Sequence, residues 1–139
     1  MSLISTMIKT YKSNNLNKNK IDKLVNSITD NQYNINVYDM YINNVSMAIQ
    51  DALTPPFLSD NKVVIIKNPL FLTKTKMEIE HNIDMLINYL DNVEETTYLI
   101  IDAGGLKVDE NTDTTMSINK IVCLRNLFIF LLHSFIVYQ

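Results

Sequence analysis

Two hydrophobic periods alternate along the chain, and the places where one gives way to the other divide it into elements. Ile21, Leu24, Val25 and Ile28 fall at i, i+3, i+4 and i+7, the spacing of one helix face. Val45, Ala48, Ile49, Ala52 and Leu53 repeat it, and Ile79, Ile83, Leu86, Ile87 and Leu90 carry it over a longer span. Thr75-Lys76-Met77-Glu78 has the spacing of a capping box, so the third helix is expected to start near Lys76. On such a helix His81 lies about 200° around from Ile79 and is expected to face solvent. Between the helices, residues 35–39 alternate, whereas 63–66 and 98–101 are unbroken apolar runs. Unbroken runs suit strands covered on both faces, and strands interleaved with helices predict an α/β fold with a parallel sheet. Residues 4–11 offer a further, weaker strand.

With 139 residues there is one core to bury, hence one domain of ordinary size. The net charge of −3 gives no overall basic footprint for nucleic acid. The imbalance is local: residues 1–28 carry a net +4, leaving −7 for the rest. That lysine-rich start reads either as a solvated face or as a contact for phosphates. The single cysteine, Cys123, excludes an internal disulfide and a cysteine-based zinc site, which suits a cytoplasmic protein. Eighteen Asn, eighteen Ile, eleven Lys and one Arg form the composition that an AT-rich coding sequence produces. Runs such as Asn43-Asn44 are accordingly read as surface filler.

The most informative stretch is 51–76. A helix ends at Pro55-Pro56, the apolar pair Phe57-Leu58 follows, and a polar turn leads into a buried strand. A large apolar pair on a stiff loop reads as an anchor for a partner's pocket, or as a plug folded back onto the local core. The order of helix, PF with an apolar residue, SD, a basic residue, VVIIKNP and FLT resembles the N-terminal domain of the delta subunit of the bacterial DNA polymerase III clamp loader. The resemblance extends back through residues 33–40 and forward through residues 80–84, Leu90, residues 98–101 and residues 106–110.

Membership in that family implies a Rossmann-like, AAA+-type α/β domain whose parallel sheet is flanked by helices, over residues 1–117. It implies a non-catalytic role in DNA replication, within an assembly that is a DNA-directed DNA polymerase. The partner implied is the sliding clamp, which the domain binds and opens. Other clamp-loader subunits are implied as neighbours, with DNA met only through the complex. Carried over residue by residue, Pro56, Phe57 and Leu58 are the clamp-binding plug and its brace, with Leu53 and Thr54 behind them.

A nucleotide site fails on the residues. A P-loop needs glycines, a lysine and Ser/Thr to cradle phosphates, and the only glycines are Gly104 and Gly105, after the last clear strand. No cofactor or metal is therefore expected. Asp102 ends a Walker-B-like run, but without a P-loop it reads as a cap or turn residue. His81 and His133 are too sparse for a catalytic constellation, and Met40, Met47, Met77 and Met85 read as gap-filling.

Residues 118–139, INKIVCLRNLFIFLLHSFIVYQ, depart from the family. Three readings compete. The segment can be a marginal membrane span, making the chain a small membrane-tethered interaction domain, since a span needs about 20 apolar residues. It can be a core element standing in for a missing strand. The reading favoured by the abrupt break is a shifted frame after about Thr115, which makes the product a truncated fragment.

Overall fold

The computed structural model describes residues 18–92, 94–125 and 130–131. Helix α1 (Lys18–Ile28) buries Leu24 and Val25, with Ile21 and Ile28 at its margins, as the i, i+3, i+4 spacing requires. A 3-10 turn (Gln32–Asn34) leads into strand β1 (Ile35–Asp39). Next come α2 (Val45–Ala52), β2 (Lys62–Lys67) and a second 3-10 turn (Leu70–Leu72). The chain continues through α3 (Ile83–Asp91), β3 (Thr97–Asp102), α4 (Asp113–Arg125) and the two-residue β4 (Phe130–Leu131).

The strands form one parallel sheet in the order β1-β2-β3-β4, with Ile35 opposite Val63 and Val63 opposite Tyr98. Alternation along β2 divides the core. Val63 and Ile65 join Ile100 under α1, whereas Val64 and Ile66 join Leu99 and Ile101 under α2, α3 and α4. A strand buried on both faces has no polar side to show, which is why residues 63–66 read as a continuous run. The α/β, AAA+-related architecture expected from the sequence is the one observed.

Two expectations fail between β2 and α3. The third helix begins at Ile83, not near Lys76, and its cap is Asn82, whose Oδ1 accepts from the Met85 N–H at 3.1 Å. The capping-box candidate is spent otherwise: the Thr73 hydroxyl takes the Thr75 N–H at 3.1 Å in a local turn. With no helix over 76–82, the 200° argument for His81 loses its basis. His81 is buried: Nδ1 accepts from the Val45 N–H at 3.0 Å, and Nε2 lies 3.2 Å from the Met40 carbonyl. Its ring also stands edge-on to Phe71. Burial, opposed by the Met40 carbonyl, lowers the imidazole pKa from its ordinary 6.5.

Asn44, taken from composition as filler, is a structural knot. It caps α2 by accepting from the Ser46 N–H, accepts from the Asn82 N–H and donates to the Glu80 carbonyl. At the same C-terminal end of the sheet Asn68 holds φ +53 and donates to Asp39 Oδ1 at 3.0 Å. That bond, followed by the Tyr41 N–H, holds the Asp39 carboxyl below its ordinary range. Left-handed backbone is tolerable for asparagine, and here it turns the chain from β2 into Pro69.

Helix α4 runs unbroken across the expected boundary at 117/118, and Ile118 is fully buried in the larger core cluster. Phe130 and Leu131 pair with Ile100 and Ile101, so at those two residues the apolar segment extends the sheet. No helix among the described residues is long and apolar enough to cross a membrane. The strand expected over 4–11, and the rest of the apolar segment beyond Leu131, lie outside the described residues.

Candidate functional site

The loop between α2 and β2 departs from a helix end that is held with unusual thoroughness. Pro55 and Pro56 lack N–H donors and disfavour helix in the residue before them, so α2 stops at Ala52. Leu53 and Thr54 close the last turn, their N–H groups donating to Ile49 and Asp51 carbonyls at 3.0 Å each. Under this turn lies the Lys62 ammonium, its side chain only 4% exposed. It donates to the Asp51 carbonyl at 2.8 Å, to Asp51 Oδ1 at 2.5 Å and to the Thr54 hydroxyl at 2.9 Å. A cation at a helix C-terminus complements the dipole and the orphan carbonyls there. The other carboxylate oxygen accepts from the Tyr38 hydroxyl at 2.8 Å. Burial, then that hydrogen bond and the carboxylate's charge, pushes the Tyr38 hydroxyl up to about 12. The first residue of β2 thus fixes the end of α2, and so the direction in which the loop leaves.

Phe57 and Leu58 project from the loop, 57% and 87% exposed. The plug reading, in which the ring folds onto the core, is not what the chain does. Leu58 holds φ +49, a left-handed conformation that costs a non-glycine residue roughly 1–2 kcal/mol. No burial of the leucine side chain offsets that cost. Strain at an exposed apolar tip is the pattern of a functional loop. The loop is held from below by the 3-10 turn before β1. Asn34 bonds both the N–H and the carbonyl of Phe57, Asn31 bonds the same carbonyl, and the Tyr33 ring meets the Phe57 ring edge-on with centroids 6.2 Å apart.

The residues expected at the site thus separate into three roles. Phe57 and Leu58 form the exposed tip, with Pro56 half-buried behind it. The Thr54 hydroxyl is turned inward, donating to the Asp51 carbonyl and accepting from Lys62. Leu53 is exposed but belongs to a different feature, an open cleft of about 490 Å³ between α2 and α3 that it shares with Ile49, Met85 and Tyr89. Neither Phe57 nor Leu58 lines that cleft. Sequence reasoning missed Lys62, Asp51, Asn31 and Asn34, because each acts through a contact that only the folded chain creates.

At the end of β3, Asp102 closes a turn by accepting the Gly104 N–H at 2.9 Å, and Gly104 takes φ +53 there. This is the turn role expected of it. Phe57 and Leu58 thus form an apolar tip on a braced loop, an arrangement suited to docking into a pocket.

The sequence model of the family described as DNA polymerase III, delta subunit, matches residues 12–128. The match therefore runs past 117/118, where the resemblance was expected to end. The DNA polymerase III subunit delta of Bacillus subtilis (strain 168) is 37% identical over 90 residues, which cover 63% of this chain and 26% of that protein. Among solved structures, the Bacillus subtilis DNA clamp loader delta protein (YqeN) matches with a TM-score of 0.69 at 29% identity, over 81% of this chain and 33% of that one. The chain spans about a quarter to a third of the length of these relatives. On the extent of the family match, this chain belongs to the DNA polymerase III delta subunit family.

Proposed function

We propose that the chain is a non-catalytic, clamp-binding module of a DNA polymerase III clamp loader, acting in the cytoplasm during DNA replication. The tip Phe57-Leu58 enters an apolar pocket on the sliding clamp, Pro56 stiffens it and Thr54 supports it from the end of α2, with Leu53 exposed on the adjoining cleft. Binding here is mechanical: docking of the tip levers the clamp's interface open, while ATP hydrolysis and DNA contact belong to other subunits of the complex. The observation that carries this reading is the exposed, conformationally strained Leu58 beside an exposed Phe57 on a loop braced from two sides. Membership in the delta subunit family supports the choice of a clamp as the partner.

The test is Phe57→Ala combined with Leu58→Ala, with affinity for the purified sliding clamp measured by calorimetry and stability by thermal melting. Loss of a docking hot spot costs about 2 kcal/mol or more, a weakening of roughly thirtyfold. The melt should shift little, because most of the removed surface is already in water. Unchanged clamp affinity, or a domain that no longer melts cooperatively, overturns the reading.

A further inference from the structure

Among the described residues, loop 55–61 makes no backbone-to-backbone hydrogen bond, so side chains must hold whatever conformation it has. Apart from a 3.4 Å contact between the Ser59 and Thr29 hydroxyls, those bonds converge on Phe57. Asn34 Oδ1 accepts from the Phe57 N–H at 2.6 Å, and Asn34 Nδ2 donates to the Phe57 carbonyl at 2.8 Å. A single amide side chain engaging both backbone groups of one residue imitates a rung of a β-ladder, across 23 positions of sequence. Asn31 Nδ2 donates to the same carbonyl at 2.8 Å, which fills the second lone pair of that oxygen. Asn31 is aimed by its own turn, its Oδ1 accepting from the Tyr33 N–H at 3.0 Å. Asn34 is 2% exposed, so its amide is as fixed as the core around it.

This geometry grips the peptide of Phe57 and leaves its ring, and all of Leu58, on the outside. We infer that the turn 31–34 is the positioning device of the anchor. In this assignment Asn34 and Asn31 hold the Phe57 peptide, and the exposed Tyr33 ring, edge-on to Phe57, forms part of the surface the partner meets. The inference rests on the anchor reading of Phe57-Leu58 for its functional consequence, though not for the grip itself. A loop already ordered in its docking conformation loses less freedom on binding, and such ordering changes affinity by roughly three- to tenfold for each side chain concerned.

The experiment compares Asn34→Ala, the nearly isosteric Asn34→Asp and Asn31→Ala in the full chain. In Asn34→Asp a carboxylate oxygen replaces the donor that faces the Phe57 carbonyl. Amide hydrogen exchange is read at Phe57 and along β2, and affinity is measured for the purified sliding clamp. Expected is a loss of protection at the Phe57 N–H in Asn34→Ala with the β2 amides unchanged, and clamp binding weaker by about three- to tenfold. The same change should have no further effect when Phe57→Ala and Leu58→Ala are already present. Unchanged exchange at Phe57 overturns the grip. Equal weakening with and without the anchor overturns the positioning role. Should Asn34→Ala unfold the chain, Asn31→Ala, which removes one of the bonds to the Phe57 carbonyl together with the turn bond from the Tyr33 N–H, carries the same two readouts. If the double anchor variant binds as the wild type does, the anchor reading has failed, while the exchange data still decide the grip.

Discussion

The pair Lys62–Asp51 offers a measurement whose size can be worked out beforehand. Lys62 is 4% exposed and Asp51 15%, so Asp51→Ala leaves a nearly dry ammonium with only the residue-51 carbonyl and the Thr54 hydroxyl as partners. Stranding a buried charge costs about 3–5 kcal/mol when burial is complete. The residual water access at residue 51 places this case at the lower end, about 3 kcal/mol, with the lost Tyr38 acceptor adding up to about 1 kcal/mol. Lys62→Met is milder: Asp51 keeps Tyr38 and its own access to water, so about 1–2 kcal/mol is expected from the lost bonds to the helix end. Asp51→Ala with Lys62→Met removes both charges together. Apolar replacement of a buried pair is close to neutral, so the double variant should lie within about 1 kcal/mol of wild type. The assay is urea denaturation of all four proteins, read as midpoint changes at constant slope. Strong non-additivity, with the double variant more stable than Asp51→Ala alone, is the signature. Additive single effects, or a cost below about 1 kcal/mol for Asp51→Ala, would refute the claim that a dry ion pair holds the end of α2.

Two further outcomes follow from strain and from titration. Leu58→Gly relieves the left-handed penalty at φ +49 and gives up little burial; with the entropy of glycine set against it, unfolding should become harder by about 0.5–1 kcal/mol while clamp binding falls. A lower midpoint in urea would show that the leucine side chain is packed after all. His81 has a folded pKa below its ordinary 6.5, so the unfolded chain binds the proton more readily. The stability it contributes is complete above 6.5 and is lost as pH falls through the lowered folded value. Protonation also sets a second N–H against the Val45 N–H, which now donates to Nδ1. Urea midpoints should therefore drop on the acid side of 6.5 in wild type and stay flatter in His81→Asn; parallel curves would exclude His81 as the cause.

The fold was legible because its signal is periodic. Residues 63–66 and 98–101 announced a sheet covered on both faces, and the spacing of Leu24 and Val25, or of Ile49 and Ala52, announced the helices that cover it. The start of α3 was not legible, since Met77 and Ile79 fall in phase with the helix by chance while lying in an irregular segment. His81 was misplaced for the same reason: its direction was computed on a helix that had not begun. At the candidate site the exposed pair could be read from the proline brake and the apolar tip. Its support could not, because eighteen asparagines offered no way to single out Asn31, Asn34 and Asn44. What distinguishes those three is a partner far along the chain, and composition carries no record of that. Lys62 hid likewise, standing in the sequence only as a basic residue before a strand, when its ammonium lies beneath a helix end.

The strand order has a consequence for how the chain can assemble. Neighbours in the described sheet are also neighbours in sequence, β1 beside β2, β2 beside β3 and β3 beside β4. Among the described strands, each can therefore pair with an edge supplied by the unit that precedes it in the chain. Crossover helices α2, α3 and α4 follow on one face in the same sequence, each covering the strands just paired. Vectorial growth of this kind keeps unpaired edges short-lived, which limits the exposure that leads parallel sheets to aggregate. It also sets the order of events at the loop. Asn31 and Asn34 leave the ribosome before Phe57 does, so the groups that receive the loop are already waiting when it arrives.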